Sequence, residues 1–281
     1  MIDLYLHVGY GKTGSTYLQS IFRASADTFL HYGIFYPVNS SIQFSGNGHL
    51  LYSDSFTDSL PLHHPSISKV LYSREHLTRE LAGDAFFPFF DKLLKSRHIR
   101  HIYVIMFVRN AFEHCYSLWS QKIKNTTEIR SFKEFSKCYD SLSIASLFLS
   151  QAFELGLRVR IVNYSKVKSI EKTFFNWLDP SLPISTLCLP KIPINVSPDY
   201  SSLNRMRLYR KFSSDSGQQS ILVIIVASFL SLPIFKPRRS LFFAILWRSQ
   251  IDSFNKTILL NSKSIDHDLP NSVINSLYVS Y

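Results

Sequence analysis

Cysteine is scarce in this sequence and follows no pattern that binds a metal or forms a disulfide framework. The 281 residues include three cysteines, Cys115, Cys138 and Cys188. Their number is odd and none of them forms a C-x-x-C pair, which argues against a zinc site and against a set of disulfides. We therefore expect no bound metal, and we expect a protein of a reducing compartment.

An uninterrupted apolar run of membrane-spanning length is also lacking. Residues 221–235 are almost wholly apolar but number about 15 and include two serines and a proline, whereas a spanning helix needs about 20 residues. The segment predicts a buried helix; the alternative is a peripheral membrane contact over residues 221–239, helped by Lys236, Arg238 and Arg239. Because no basic and apolar leader precedes the first strand, we expect a cytoplasmic protein, with membrane association as the alternative.

Charged residues are few, at 18%, while hydrophobic residues reach 46%. This composition excludes a disordered or collagen-like chain and predicts a well-packed globular protein. The formal net charge of +11 favours anionic ligands such as phosphates, sulfates and acidic glycans. The basic residues are dispersed and match no nucleic-acid-binding module, so we expect no nucleic-acid partner.

Strands and helices alternate along the first two thirds of the chain. A short apolar run ends at Gly9, after which Leu18, Ile21 and Phe22 recur at helical spacing. Continuous rather than alternating apolar runs predict a parallel sheet that is covered on both faces. The predicted fold class is α/β, with three α/β/α layers around a mainly parallel sheet. We expect strands at residues 4–8, 69–73, 102–108 and 158–164.

The C-terminal third predicts helices rather than strands. Five prolines between residues 179 and 198 predict a loop, and residues 199–212 and 243–260 have helical patterns. We expect a single domain over residues 1–281, with a nucleotide-binding core at about 1–180 and a helical part at about 199–281.

The turn between the first strand and the first helix is rich in glycine and hydroxyl side chains. Glycines let backbone N–H groups approach an anion, and the start of the helix adds unpaired N–H donors and the positive end of its dipole. Lys12 adds a full positive charge. The pattern predicts a phosphate-binding loop that consists of Gly9, Gly11, Lys12, Thr13, Gly14, Ser15 and Thr16.

This loop differs from that of nucleoside-triphosphatases. Lys12 lies three residues after Gly9, which departs from the GxxxxGK[ST] spacing. No acidic strand end is evident that would hold magnesium. A metal-free transfer of an anionic group fits better.

A second anion-binding feature follows the third predicted strand. Arg109 comes directly after that strand, and Ser117 lies eight residues further on in the next helix. Arginine binds phosphate oxygens through a planar fork of donors. The two side chains can therefore converge on one anion.

These two motifs, in this order, resemble those of the sulfotransferases that use 3′-phosphoadenosine-5′-phosphosulfate (PAPS), especially a bacterial branch that begins with a strand and an H-x-G-x-x-K-T-G-[ST]-T loop. The resemblance implies a fold like that of P-loop nucleoside triphosphate hydrolases, with PAPS as sulfuryl donor and no metal. It implies that residues 9–16 cradle the 5′-phosphosulfate, with Lys12 on the bridging and 5′-phosphate oxygens, and that Arg109 and Ser117 hold the 3′-phosphate. Residues 195–197 resemble a further family segment, whereas the RKGxxGxWK-type closing loop of the cytosolic branch has no clear counterpart.

Two residues are candidates for the base that takes the acceptor's proton. Glu75 follows the second predicted strand and resembles the family's strand-terminal serine-serine-glutamate element, although Arg74 replaces the second serine. A carboxylate is a weak base unless burial raises its pKa, and cationic surroundings act in the opposite direction. The alternative is His49, in a glycine-rich loop. His7, inside the first strand, is predicted to be a satisfied core histidine.

The acceptor is predicted to be a hydroxyl or an amine of a small molecule or glycan, and a cell-envelope glycan or glycolipid is one option. Two other functions compete with sulfuryl transfer. One is a P-loop kinase-like phosphotransferase that depends on magnesium. The other is a catalytically silent protein that binds 3′-phosphoadenosine-5′-phosphate (PAP) or an anionic glycan.

Overall fold

The structure is a computed structural model that describes residues 1–38, 46–52, 60–61, 64–190, 199–216 and 241–261. The chain divides into two compact units. The first consists of Met1–Asn110, Ser141–Ile194 and Gln250–Ser280, and the second of Ala111–Asp140, Asn195–Ser249 and Tyr281. The expectation of one functional domain over the whole chain stays a prediction.

A parallel sheet forms the centre of the first unit. In the ranges that the structure describes, its strands are β1 (Ile2–Val8), β2 (Ile34–Phe35), β3 (Lys69–Arg74), β4 (Ile99–Val108) and β5 (Arg158–Asn163). All neighbouring strands are parallel, in the order β2-β3-β1-β4-β5. The chain therefore extends the sheet from β1 first on one side and then on the other.

The helices of the described residues follow in chain order. They are α1 (Ser15–Ala24), α2 (Ala26–His31), α3 (Leu77–Leu81), α4 (Phe86–Leu94), α5 (Ala111–Asn125), α6 (Phe132–Ser136), α7 (Ser141–Glu154), α8 (Ile170–Leu178), α9 (Tyr200–Ser216) and α10 (Leu241–Leu260).

One face of the sheet is covered by α1, α2 and α8. Alternate residues of the strands, among them Tyr5 and Phe107, share a buried cluster with Phe22 of α1 and Phe174 of α8. The rings of Phe22 and Phe174 lie 4.7 Å apart and both side chains are fully buried. Burial of each such side chain contributes about 1.5–3 kcal/mol to folding.

The opposite face of the sheet is covered by α4 and α7. Phe86 and Phe90 of α4 contact Phe148 of α7 through ring centroids 5.2 and 6.4 Å apart. α4 packs on β4, and α7 packs on β5. Helices thus lie on both sides of a five-stranded parallel sheet, and the predicted three-layer α/β arrangement is confirmed.

The second unit is helical in its described part. The indole Nε1 of Trp119 in α5 donates to the carbonyl of Arg130 at 3.0 Å. The ring centroids of Trp119 and of Tyr200 in α9 lie 5.9 Å apart. Arg210 donates to the carbonyls of Ile123 and Thr126. Since these carbonyls belong to the C-terminal end of α5, Arg210 caps that helix.

Most of the predicted elements are confirmed, and their ends differ by a few residues. β5 ends at Asn163, because Tyr164 begins a 3₁₀ turn that extends to Lys166. Val167 lies before α8, which begins at Ile170. Strand β2 was not predicted from the sequence, since two residues carry no periodic signal.

Candidate functional site

The glycine-rich loop lies at the carboxyl end of β1. This strand is flanked by β3 and β4, so the loop sits where the order of strands reverses. In open parallel sheets, ligands bind outside the carboxyl ends of the strands at such a switch point. The fold therefore places the predicted phosphate loop at the position that is expected to bind a ligand.

The backbone of the loop turns through left-handed conformations. Gly11, Lys12 and Gly14 have φ angles of 77°, 50° and 80°. Lys12 is the one of these three residues that is not a glycine, and a lysine with a positive φ angle is uncommon and strained. Gly14 precedes α1 and makes no side-chain cap, and the first turn of α1 holds no acidic residue. The start of α1 thus presents N–H donors and positive dipole without a local carboxylate.

The loop is anchored to the end of β3. The backbone N–H of Gly9 donates to the carbonyl of Arg74 at 2.9 Å, and the hydroxyl of Thr78 donates to the carbonyl of Gly9 at 2.9 Å. A Cβ on Gly9 would collide with the backbone of Glu75. Glycine at this position is therefore required for the close approach that brings Glu75 against the loop.

The residues that follow β4 and β5 form the other side of the loop. The guanidinium Nη1 of Arg109 donates to the carbonyl of Lys12 at 3.3 Å, and the Cζ atom of Arg109 lies 5.6 Å from the ring centre of Tyr164. A Cβ on Gly14 would lie 2.7 Å from the Cδ1 atom of Ile170. Arg109 and the predicted phosphate loop therefore lie next to each other.

Two hydroxyl groups of the loop are buried without a partner. Thr13 is 0% exposed and Ser15 is 2% exposed. Among the described residues, neither Thr13 Oγ1 nor Ser15 Oγ has a hydrogen-bond partner. A buried polar atom without a partner costs about 1–3 kcal/mol. Hydroxyls at the start of a helix are the type of donor that a phosphate or phosphosulfate group requires, so the chemistry of these two residues fits such a group.

Glu75, the first candidate base, is half-buried at the junction of β3 and α3. Its backbone contacts Gly9, and its carboxylate makes no hydrogen bond or ion pair with any described residue. The neighbouring Arg74 is paired instead with Glu80, at 2.6 Å between Nη2 and Oε1, and it lies over the ring of Tyr52. Arg74 is therefore neutralised by Glu80 and not by Glu75.

His49, the second candidate base, lies in a 3₁₀ turn, Asn47–Tyr52, next to β3. The amide of Asn47 attaches this turn to the strand: its Nδ2 donates to the carbonyl of Leu71 at 3.1 Å, and its Oδ1 accepts from the N–H of Ser73 at 2.8 Å. The side chain of Asn47 thus acts as a peptide group beside β3, beyond the point where β2 ends. His49 is thus held near the carboxyl end of β3, the end that Glu75 follows.

Several predicted features remain predictions. Ser117 lies on α5, which belongs to the second unit, so its pairing with Arg109 remains a prediction. Residues 195–197 and the apolar segment 221–239 lie outside the described residues. No helix in the described ranges is both long and apolar enough to cross a membrane. Within the same ranges, no group of three or more His, Cys, Asp and Glu side chains is placed to hold a metal ion.

Comparison with known proteins gives no relative. No family model, no curated protein and no solved structure matches the chain.

Three residues that hold the site together were not predicted from the sequence. Thr78 binds the loop through the carbonyl of Gly9, Asn47 attaches the His49 turn to β3, and Gln19 of α1 donates to the hydroxyl of Ser73 at 3.0 Å. Only Asn47 had a local signal, because it lies between two glycines in a chain that has 9 in total. The other two contacts depend on residues that are distant in sequence.

Proposed function

We propose that this protein is a sulfotransferase that moves the sulfuryl group of PAPS to a hydroxyl or an amine of an acceptor. The observation that carries the proposal is the pair of buried hydroxyls of Thr13 and Ser15, which have no partner among the described residues, in a loop that also contains Lys12 and that Arg109 contacts. The resemblance of the loop and of the Arg109 motif to those of the PAPS-dependent family supports the choice of donor.

The loop supplies donors for an anionic group. The hydroxyls of Thr13 and Ser15 and the first N–H groups of α1 donate to the phosphosulfate oxygens, while Lys12 neutralises charge on the bridging and 5′-phosphate oxygens. Arg109, with Ser117 as predicted, holds the 3′-phosphate. Each of these groups is a donor or a cation, which is the chemistry that a polyanionic donor needs.

The reaction is an in-line displacement at sulfur. The acceptor's oxygen or nitrogen forms a bond to sulfur as the bond between sulfur and the bridging oxygen breaks. The electron pair of the broken bond stays on the 5′-phosphate of the departing PAP, where Lys12 and the start of α1 stabilise the charge. The acceptor's proton passes to Glu75, or to His49 in the alternative assignment, so the products are PAP and the sulfated acceptor.

Glu75 is the preferred base because of its position. Its backbone contacts the phosphate loop at Gly9, whereas His49 is attached to β3 through the Asn47 turn. A general base must come within about 2.6–3.2 Å of the proton that it removes. The backbone contact of Glu75 with the loop supports it as the base, and His49 remains the alternative.

The proposal is tested by incubating the purified protein with radiolabelled PAPS and a panel of glycans, glycolipids and amino sugars. We expect label in an acceptor, formation of PAP, and loss of both in Lys12→Ala. Binding of PAP without consumption of PAPS would identify the silent binding protein instead. Magnesium-dependent phosphate transfer from ATP, with PAPS left intact, would identify the phosphotransferase.

A further inference from the structure

The hydroxyl of Ser73 is the centre of a buried polar network beside the phosphate loop. Ser73 is the penultimate residue of β3 and is fully buried. Its Oγ lies 2.8 Å from Nδ1 of His7 in β1 and 3.0 Å from Nε2 of Gln19 in α1. The hydroxyl of Ser73 therefore links β1 and α1, the two elements that the loop connects, to β3, the strand that leads to Glu75.

The chemistry of the three groups gives the network a direction. The amide Nε2 of Gln19 only donates, so the oxygen of Ser73 accepts from it. The single hydroxyl hydrogen of Ser73 can then be donated to Nδ1 of His7, and we assign Nδ1 as the acceptor. A neutral imidazole that accepts at Nδ1 carries its proton on Nε2. The chain therefore runs from Gln19 through Ser73 to His7.

The surroundings of His7 support this tautomer. His7 is 0% exposed, and burial lowers its pKa to about 3, so the ring is neutral. Its Nε2 has no hydrogen-bond partner among the described residues. The rings of Phe22, Phe107 and Phe174 surround the imidazole ring, and their centroids lie 6.2, 5.8 and 5.6 Å from its own. An N–H group can contact aromatic faces as a weak donor, whereas a lone pair cannot gain from them.

The network adds a link that the sheet does not provide. His7 and Ser73 are already paired in the ladder between β1 and β3, but α1 is joined to β3 here by the side chain of Gln19. Gln19 lies five residues after Gly14, and Ser73 lies two residues before Glu75. Gly46 packs against the network, because a Cβ there would lie 2.6 Å from Nε2 of Gln19.

We propose that Ser73 is a positioning residue that holds the first turn of α1 in register with Glu75 through the directed chain from Gln19 to His7. The proposal rests on the proposed function, since it assigns to Glu75 and to α1 the base and the phosphosulfate donors. The cradle itself is held independently, by the bonds of Gly9 to Arg74 and Thr78. Ser73 thus governs the distance between base and donor more than it governs binding of the nucleotide.

The first test uses the unaltered protein. Long-range nitrogen–proton NMR correlation of the histidine rings, assigned with a His7→Phe variant, distinguishes the two neutral tautomers. We expect His7 to be protonated at Nε2, with a spectrum that does not change between about pH 8 and about pH 5, where exposed histidines titrate. A proton on Nδ1 would reverse the chain and overturn its assignment.

The second test separates turnover from binding. In Ser73→Ala we expect PAPS turnover, measured as transfer to an acceptor or as sulfate release to water, to fall at least about tenfold, because small displacements of reacting groups are that costly. We expect the Kd of PAP to change by less than about threefold, since the cradle remains. Gln19→Leu should lower turnover similarly, and the double variant should lose little more, as coupled residues do.

Ser25→Ala is the matched control. Ser25 is also buried, and its hydroxyl accepts from the N–H of Cys188 at 2.9 Å, away from the loop. We expect this variant to lose thermal stability while its turnover stays at the wild-type level. Wild-type turnover in a folded Ser73→Ala would overturn the positioning role and leave the proposed function standing. Failure of the wild-type protein to bind PAP would overturn both, while the NMR result would still report the tautomer.

Discussion

Replacing Thr13 by valine removes a buried hydroxyl but keeps the shape of the side chain. Since Thr13 Oγ1 has no partner among the described residues, this change breaks no hydrogen bond with any of them. If the hydroxyl donates to a phosphate oxygen of the ligand, the variant without ligand should have a higher free energy of unfolding than the wild type. The same variant should bind PAP with a lower affinity. The two effects have opposite signs.

The magnitudes follow from the burial of the group. Thr13 is 0% exposed, so removing its unsatisfied hydroxyl should raise the free energy of unfolding by about 1 kcal/mol, the lower end of the cost of such a group. For a chain of this size that corresponds to a rise in Tm of about 2 °C. A hydrogen bond to a charged group contributes about 1.5–3 kcal/mol, so the Kd of PAP should increase roughly 10- to 150-fold.

Calorimetric melting and titration with PAP measure the two effects on the same preparations. Ser15→Ala should behave in the same way, because Ser15 Oγ is also buried and unpartnered within the described residues. Thr173→Val is the matched control: the hydroxyl of Thr173 donates to the carbonyl of Ser169 at 3.0 Å. We expect that control to gain no stability and to bind PAP with the wild-type Kd. A Thr13→Val protein that is destabilised, or that binds PAP as the wild type does, would refute the assignment of this hydroxyl to a ligand.

Four further changes test other features of the protein. Lys12→Ala should abolish PAPS turnover with little change in Tm, and retained turnover would remove Lys12 from the transfer step. Arg109→Ala should weaken PAP binding by about 1.5–3 kcal/mol, the contribution of a charge-assisted contact; an unchanged titration would relocate the 3′-phosphate site. Glu75→Gln should bind PAP normally and lose turnover, and turnover in this variant would transfer the role of base to His49. Finally, Asp3 has a lowered pKa: burial alone would raise it, but the hydrogen bonds from Arg100 and His101 outweigh that effect. The stability that the Asp3 carboxylate contributes is therefore present at neutral pH. It is lost as the pH falls through the lowered pKa. Acid unfolding of Asp3→Asn should therefore depend less on pH in that range.

The strands that were predicted contain runs of apolar residues that are visible without any neighbour. β1 is buried throughout and the last five residues of β4 are buried and apolar, while β3 has a shorter apolar run at Val70–Tyr72. β2 was missed because Ile34 and Phe35 pair with only two residues of β3. Beyond Val70, the side-chain amide of Asn47 makes the hydrogen bonds to β3 that a neighbouring strand would otherwise make. No local sequence pattern predicts such a substitution.

The candidate site divides in the same way. The phosphate loop and Arg109 carry their chemistry in contiguous residues, so their position could be predicted from the sequence. The contact of Thr78 with Gly9 joins residues 69 positions apart, and its existence depends on the register between β1 and β3. His7 was predicted to be a satisfied core histidine; its burial is confirmed, but only Nδ1 has a partner, in Ser73, and Nε2 has none among the described residues.

Isothermal titration of the purified protein with PAP, and separately with ATP and magnesium, distinguishes a sulfotransferase from a phosphotransferase and requires no acceptor. We expect tight binding of PAP, and weak binding of ATP that magnesium does not change. Absence of PAP binding, or binding of ATP that depends on magnesium, would contradict the proposed function.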